Sequence, residues 1–430
     1  MQPRAPFWLR HIKTILVIIL FFKIGGYFSI TDVKAITQVY KIITRVGMSG
    51  MTIYILWQLR KMGCLNMFHL SNTLHLWFYS IYLLIGFISF TWSTDPGYSV
   101  LQWSMTFESF VFVYLFFQVI YTVNYFFPEK YIDIIDLFMK ASFPIILIFI
   151  LGSFILPDYF YREMRGGEET RLGGWIMNPN ELGMLASILG AMSYIQISKY
   201  IGWRKVWPIL ALVGALIILM LTSSRSSLIG FLLILGILVL RSENKKLKIG
   251  LILTMLLIAP IAVKEVIFKE DGGVEEVLSM TGRLPFWEAL LKEGIIKEPF
   301  FGYGFMRINY TDYFQGLNTY PGKMTHNTFM QVLMNLGFVG LFIALLNFVL
   351  TIKLFVRRPN HTYRPFFIAL FIPIVINSFT EFGIYGEANY GILFWQILIF
   401  IFLFEEKKNL TSKEKIKMTF FQNKYQELKF

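Results

Sequence analysis

Twelve apolar runs follow one another along this chain, most of them long enough to cross a bilayer as a helix. No other feature limits the possible folds so strongly. A backbone in hydrocarbon must satisfy its polar groups within its own helix or within a closed barrel, and a helical span needs about 20 mostly apolar residues. The runs lie at about 12–30, 36–58, 74–92, 101–125, 132–156, 180–198, 206–222, 227–240, 247–263, 327–355, 364–384 and 388–404. The second carries Lys41 and Arg45, and the eighth is short. The whole chain is 56% hydrophobic and 16% charged, whereas a soluble domain averages about 25% charged. The expectation is an all-α polytopic membrane protein, with residues 1–430 forming a single integral membrane domain. The first run has no small-residue cleavage site and reads as a span rather than a signal peptide. One cysteine, Cys64, excludes an internal disulfide and any multi-cysteine metal site.

The basic residues set the orientation. With a cytoplasmic N-terminus, 24 of the 40 lysines and arginines fall on inner segments, 12 on outer segments and four within runs. Seven of the outer ones sit in one long loop, 264–326, and long loops cross largely regardless of charge. Both termini are therefore expected in the cytoplasm, with the 264–326 loop, between spans nine and ten, as a large extracytoplasmic insertion. The net charge of +13 is mostly this topology signal, so nucleic acid is not an expected partner.

On the outer side the polar residues gather. Of five histidines only His326, in "MTHNTFMQVLMNLG", is placed there. It is either a helix-end residue with no chemistry or a general base, since a helix N-terminus disfavours its imidazolium form. Thr325 is the expected N-cap, with Asn327 in the first turn. Arg225 sits in the short turn "LTSSRSSLIG", where it either snorkels or meets an anion, with the serines as further donors. Arg283 precedes "LPFWEALLKEGI", which reads as an amphipathic helix on the membrane surface that ends near Pro299, Gly302 and Gly304. In "RLGGWIMNPNELG", Asn178 is the expected N-cap and Pro179 the first helical residue, leaving Asn180 facing the vestibule below Arg171. Lys23, Lys41 and Arg45 lie inside spans, where charges are costly, and are candidates to border the same site. Lys140 has Asp136 four residues earlier as its partner. No Asp-x-Asp and no His/Asp cluster with metal-ligand spacing occurs, so no metal and no cofactor are expected, and arginines would neutralise any bound phosphate.

In this order, Arg171 to Gly183, "SSRSS", "TGRLPFWEALL" with "EPFFGYGF", and "HNTFMQVLMNLG" resemble the O-antigen ligase and polymerase superfamily. These are bacterial glycosyltransferases of the cytoplasmic (inner) membrane that work at its outer face. The resemblance covers about 171–350; the first 170 residues carry no matching motif. It implies a donor glycan linked through diphosphate to undecaprenol, a growing or acceptor glycan as second substrate, and contact with other polysaccharide-assembly proteins. It also implies that Arg225 and Arg283 hold the diphosphate and that His326 assists the acceptor hydroxyl. Arg171, Asn180, Lys41 and Arg45 are secondary candidates. The implied activity is metal-independent, inverting polymerisation of a surface polysaccharide; the alternatives are a ligase moving the finished glycan to a lipid or protein, and a transporter of polysaccharide or lipid-linked sugar. Transporters place their polar residues near the midplane, whereas here they cluster at one face.

Overall fold

The computed structural model describes residues 5–31, 33–64, 67–164, 169–241, 245–262, 283–305, 325–358, 361–381, 383–386, 389–407 and 411–425. Most of the 264–326 loop lies outside the described residues; only 283–305 and 325–326 of it are described.

Helices occupy all twelve apolar runs. They are α1 (Ile12–Gly25), α2 (Lys34–Lys61), α3 (Leu74–Ile88), α4 (Pro96–Phe126), α5 (Ile134–Ile155), α6 (Pro179–Lys199), α7 (Val206–Leu221), α8 (Arg225–Arg241), α9 (Lys245–Ala262), α11 (Thr328–Arg357), α12 (Arg364–Ser378) and α13 (Tyr390–Phe400), with the short α10 (Arg283–Ala289) before α11 and α14 (Ser412–Tyr425) after α13. Among the described residues, five helical stretches are long and apolar enough to cross a membrane: Leu74–Thr91, Pro96–Phe126, Pro128–Ile155, Gly202–Leu221 and Thr328–Arg357. Several others are shorter than their runs. α12 ends at Ser378 rather than near 384, and α13 holds only 11 residues, all buried. A helix apolar on every side is one enclosed by its neighbours.

Successive helices alternate in direction, so their ends collect at two faces of the bundle. At one face β1 (Phe68–Leu70) pairs antiparallel with β4 (Phe404–Glu406), and Lys199 meets Asp133, the N-cap of α5, at 2.9 Å. Lys140 and Asp136 form the expected pair at 2.7 Å. At the other face β2 (Tyr161–Met164) pairs with β3 (Glu169–Leu172), with Arg162 opposite Arg171. The N-termini of α6, α8 and α11 and the C-termini of α7 and α12 all belong to this second face, which carries the candidate site.

α11 is broken there. Gly337 has φ 63° and ψ −165°, so two helical segments meet at a kink. Backbone groups freed by a kink need other partners. Segment 299–304 supplies them. The Tyr303 and Gly304 amides donate to the Met334 and Asn335 carbonyls at 2.9 and 2.8 Å, and the Phe338 and Val339 amides donate to the Pro299 and Phe300 carbonyls at 2.8 and 3.2 Å. The helical segment ends at Gly294, earlier than the expected stop near Pro299, and Gly302 and Gly304, both at positive φ, let one backbone insert into another. The amphipathic stretch itself packs on protein. Phe286 and Leu290 lie buried against Tyr303 and Met334, and the helix gives way to a π turn at Leu290–Gly294.

Candidate active site

The site is assembled by helix ends. Asn178 caps α6 as expected, accepting from the Asn180 amide at 2.9 Å, and Pro179 follows it. At α11 the cap is Asn327, not Thr325: its side chain accepts from the Phe329 and Met330 amides at 2.9 and 3.1 Å. The Thr325 hydroxyl is directed elsewhere, donating toward Asn327 O and Gln331 Oε1. His326 is therefore the residue just outside the cap, and its backbone takes φ 49°. A non-glycine residue in the left-handed region is uncommon and is held there only by its surroundings.

What holds it is a residue that the sequence reading did not single out. Glu381 follows the end of α12 by three residues and is 3% exposed. The segment after it is tied across the start of α11, the Gly383 amide donating to Thr328 Oγ1 at 2.8 Å. His326 Nδ1 then lies 2.8 Å from Glu381 Oε2. The other carboxylate oxygen accepts from Asn180 Nδ2 at 2.7 Å and from Arg283 Nη2 at 3.2 Å. Arg283 Nη1 donates to the Thr380 carbonyl beside it. Burial pushes the Glu381 carboxyl up, but the charges and hydrogen bonds of His326, Arg283 and Asn180 outweigh burial and hold it below the usual carboxylate range. An ionised Glu381 can only accept. His326 therefore carries its proton on Nδ1, and Nε2 is the basic nitrogen.

Arg171 braces the assembly. Its Nε donates to Thr222 O at 2.7 Å and its Nη2 to Asn180 Oδ1 at 2.9 Å and Ser223 O at 3.1 Å. It thus clamps the two carbonyls just past the end of α7, fixes Asn180 and sets the turn that carries Arg225. Ser223 in that turn has φ 47°. Arg225 is the first residue of α8. Of the serines expected as anion donors, Ser224 donates to Ser227 at 2.8 Å and Ser227 to Asn180 O at 3.1 Å. Their hydrogen bonds pack the turn onto α6, and the close approach of Gly183 to both allows it.

The structure thus brings His326, Arg283, Asn180 and Arg171 into one bonded network through Glu381, and joins the Arg225 turn to it through Asn180. It takes Arg45 elsewhere. Arg45 is buried and lies 3.4 Å from Glu108 Oε2 on α4, beside Lys23, whose ammonium also pairs with Glu108. Arg45 bonds to none of the residues around Glu381, and Lys41 stands one turn earlier on the same helix. The signal for Glu108 and Glu381 was the one used for the lysines: a charge inside an apolar run.

Residues 210–345 match the family model described as O-Antigen ligase. The match holds Arg225, Arg283 and His326, while Arg171, Asn180 and Glu381 lie outside it. It supports the O-antigen ligase and polymerase superfamily and, with the apolar helices, indicates a bacterial membrane protein of polysaccharide biosynthesis. No curated protein matches the chain.

Proposed function

Starting from a chain whose 210–345 segment is that of the O-antigen ligase family, we propose a membrane glycosyltransferase that moves glycan from an undecaprenyl-diphosphate-linked donor to a sugar hydroxyl. It works at the outer face of the cytoplasmic membrane and extends a surface polysaccharide. The helices of the twelve apolar runs form one membrane domain, both termini are cytoplasmic, and the 264–326 loop faces outward with the site.

The observation that carries this reading is the Glu381–His326 pair. The acceptor hydroxyl attacks the anomeric carbon, the bond from that carbon to the diphosphate oxygen breaks, and undecaprenyl diphosphate departs with the electron pair. The hydroxyl proton passes to His326 Nε2. Glu381 then faces an imidazolium, whose charge it stabilises. Attack opposite the leaving group inverts the anomeric centre. Diphosphate leaves as an anion and needs no general acid. Arg225 stands at the N-terminus of α8, where the helix dipole already favours an anion. Arg283 adds a planar fork whose terminal nitrogens each keep a second hydrogen beyond the bonds to Thr380 and Glu381. Two arginines can stabilise the developing leaving-group charge without a metal ion.

A ligase variant uses the same chemistry with a different acceptor, a lipid or a protein in place of the growing glycan. The test is transfer by purified protein from undecaprenyl-diphosphate-linked oligosaccharide. A ladder of products identifies a polymerase and a single addition to a lipid or protein a ligase. Absence of transfer to any hydroxyl acceptor, with the donor bound, overturns both.

A further inference from the structure

We infer that the open cleft between the β2–β3 hairpin and the turn at 173–176 binds the glycan acceptor, seating sugar rings on Trp175 and their hydroxyls on Asp158, Glu163 and Thr170. The inference rests on the glycan-transfer reading and adds to it a substrate subsite. The cleft has a volume of about 790 Å³ and is lined by these residues with Tyr161 and Arg162. Trp175 is 62% exposed.

The presentation of this tryptophan is built, not incidental. Gly173 and Gly174 take φ 139° and 59°, and a Cβ on Gly174 would stand 2.2 Å from the Tyr159 carbonyl oxygen. The Gly173 amide donates to the Phe160 carbonyl at 2.9 Å. The turn is thereby locked onto the short helical turn Pro157–Phe160 that follows α5, and the indole is held out on a rigid base. The Arg162 guanidinium lies over its ring, 5.8 Å from the centroid.

The composition selects the ligand. An interfacial tryptophan anchoring the chain in phospholipid headgroups sits best among apolar and cationic neighbours. Here two carboxylates outnumber the one cation, Arg162, so the lining is acidic as a whole and disfavours phosphate. A polyhydroxyl ring offers an apolar face for the indole and O–H donors for the acids, the pairing of an apolar wall with a few placed polar groups that suits small ligands.

The location connects it to the chemistry. Thr170 faces the cleft, and the next residue on the same strand, Arg171, reaches Asn180 on the other side. Asn180 donates to Glu381, which holds His326. Arg171, Asn180 and Glu381 thus link the strand that lines the cleft to the base, a position suited to the part of an acceptor chain behind its reactive hydroxyl.

The test uses the full-length protein in nanodiscs and oligosaccharides of one to four repeat units, released by mild acid from the host's own lipid-linked glycan. Binding is measured with no donor present. Trp175→Ala and the double variant Asp158→Asn, Glu163→Gln should weaken binding at least tenfold, and Trp175→Phe should restore part of it. In transfer assays Trp175→Ala should raise the acceptor KM and leave kcat near wild type. Wild-type affinity in Trp175→Ala overturns the inference, as does absence of fragment binding by the wild type. So does a Trp175→Ala variant that loses phospholipid retention but keeps the glycan. None of these outcomes bears on transfer by the wild type, which tests the function separately.

Discussion

His326 Nδ1 and Glu381 Oε2 stand 2.8 Å apart although 55 residues separate them in the chain. The carboxylate is itself held by Asn180 from α6 and Arg283 from α10. Four chain segments thus fix one imidazole. The first prediction concerns this pair. Loss of general-base assistance typically lowers a rate by about 10²–10⁴-fold. His326→Ala should lower transfer by that factor and keep donor binding, since the proposed mechanism assigns the diphosphate to the arginines. Glu381→Gln should lower kcat by a similar factor, because a neutral amide neither fixes the tautomer nor stabilises the imidazolium. Donor binding and turnover are compared in the same preparations. Near wild-type kcat in Glu381→Gln would assign the carboxylate to structure alone.

A second prediction follows from the charge on Glu381. Its folded-state value is depressed below the ordinary 4.5. A depressed carboxyl contributes stability that is complete above its unfolded value and lost as pH falls through the folded one. Glu381→Gln should therefore lower Tm at pH 7, and the gap from wild type should close as pH drops below about 4.5, the unperturbed glutamate range. Thermal unfolding of the detergent-solubilised proteins at a series of pH values checks this. A gap independent of pH would mean that the loss came from packing.

The arginines are tested by lysine. Arg225→Lys and Arg283→Lys keep the charge but lose the planar fork, which is not a conservative change where a diphosphate is gripped. Both should weaken donor binding and lower transfer, and Arg283→Lys should also loosen Glu381. Wild-type transfer should persist in EDTA. Loss of activity in EDTA that magnesium restores would show that arginines alone do not neutralise the leaving group.

Much of this architecture was legible in the sequence, and the failures have physical causes. Every one of the twelve hydrophobic runs holds a helix, because burial in an apolar medium demands continuous apolar sequence. They misjudged the ends of α12 and α13, since a run's hydropathy does not report where the backbone turns. That error hid Glu381, which fell inside the run at 364–384. The N-cap Asn178 was readable from Asn-Pro, whereas at α11 three adjacent polar residues, Thr325, His326 and Asn327, compete for the cap and only geometry selects Asn327. The break at Gly337 had no local signal either, because its cause is the distant segment 299–304.

That break gives a further prediction. A Cβ at Gly337 would stand 2.2 Å from the Phe300 carbonyl carbon, against backbone that cannot rotate away, and would occupy a positive φ. Strain of this kind costs on the order of 1–3 kcal/mol before the clash is counted. Gly337→Ala should lower Tm and yield. Gly47, inside α2, has open space around its Cβ position. Gly47→Ala should be neutral or raise stability by about 0.5–1 kcal/mol. Equal effects of the two substitutions would remove the special role of the kink.

The last prediction separates the two charged clusters. Lys23 and Arg45 are buried and both face Glu108, which joins α1, α2 and α4. Removing one partner of a buried ion cluster typically costs about 3–5 kcal/mol, because the remaining charge is left without compensation. Glu108→Gln should therefore lower Tm and membrane yield markedly. Replacing all three, as Lys23→Met, Arg45→Met, Glu108→Leu, should recover most of that loss, since apolar groups of similar volume leave nothing uncompensated. The recovery also tests function. Arg45 bonds to no residue of the Glu381 network, so the triple variant should retain His326-dependent transfer at close to the wild-type rate. A triple variant that is stable, binds donor and does not transfer would place Arg45 in the active site after all.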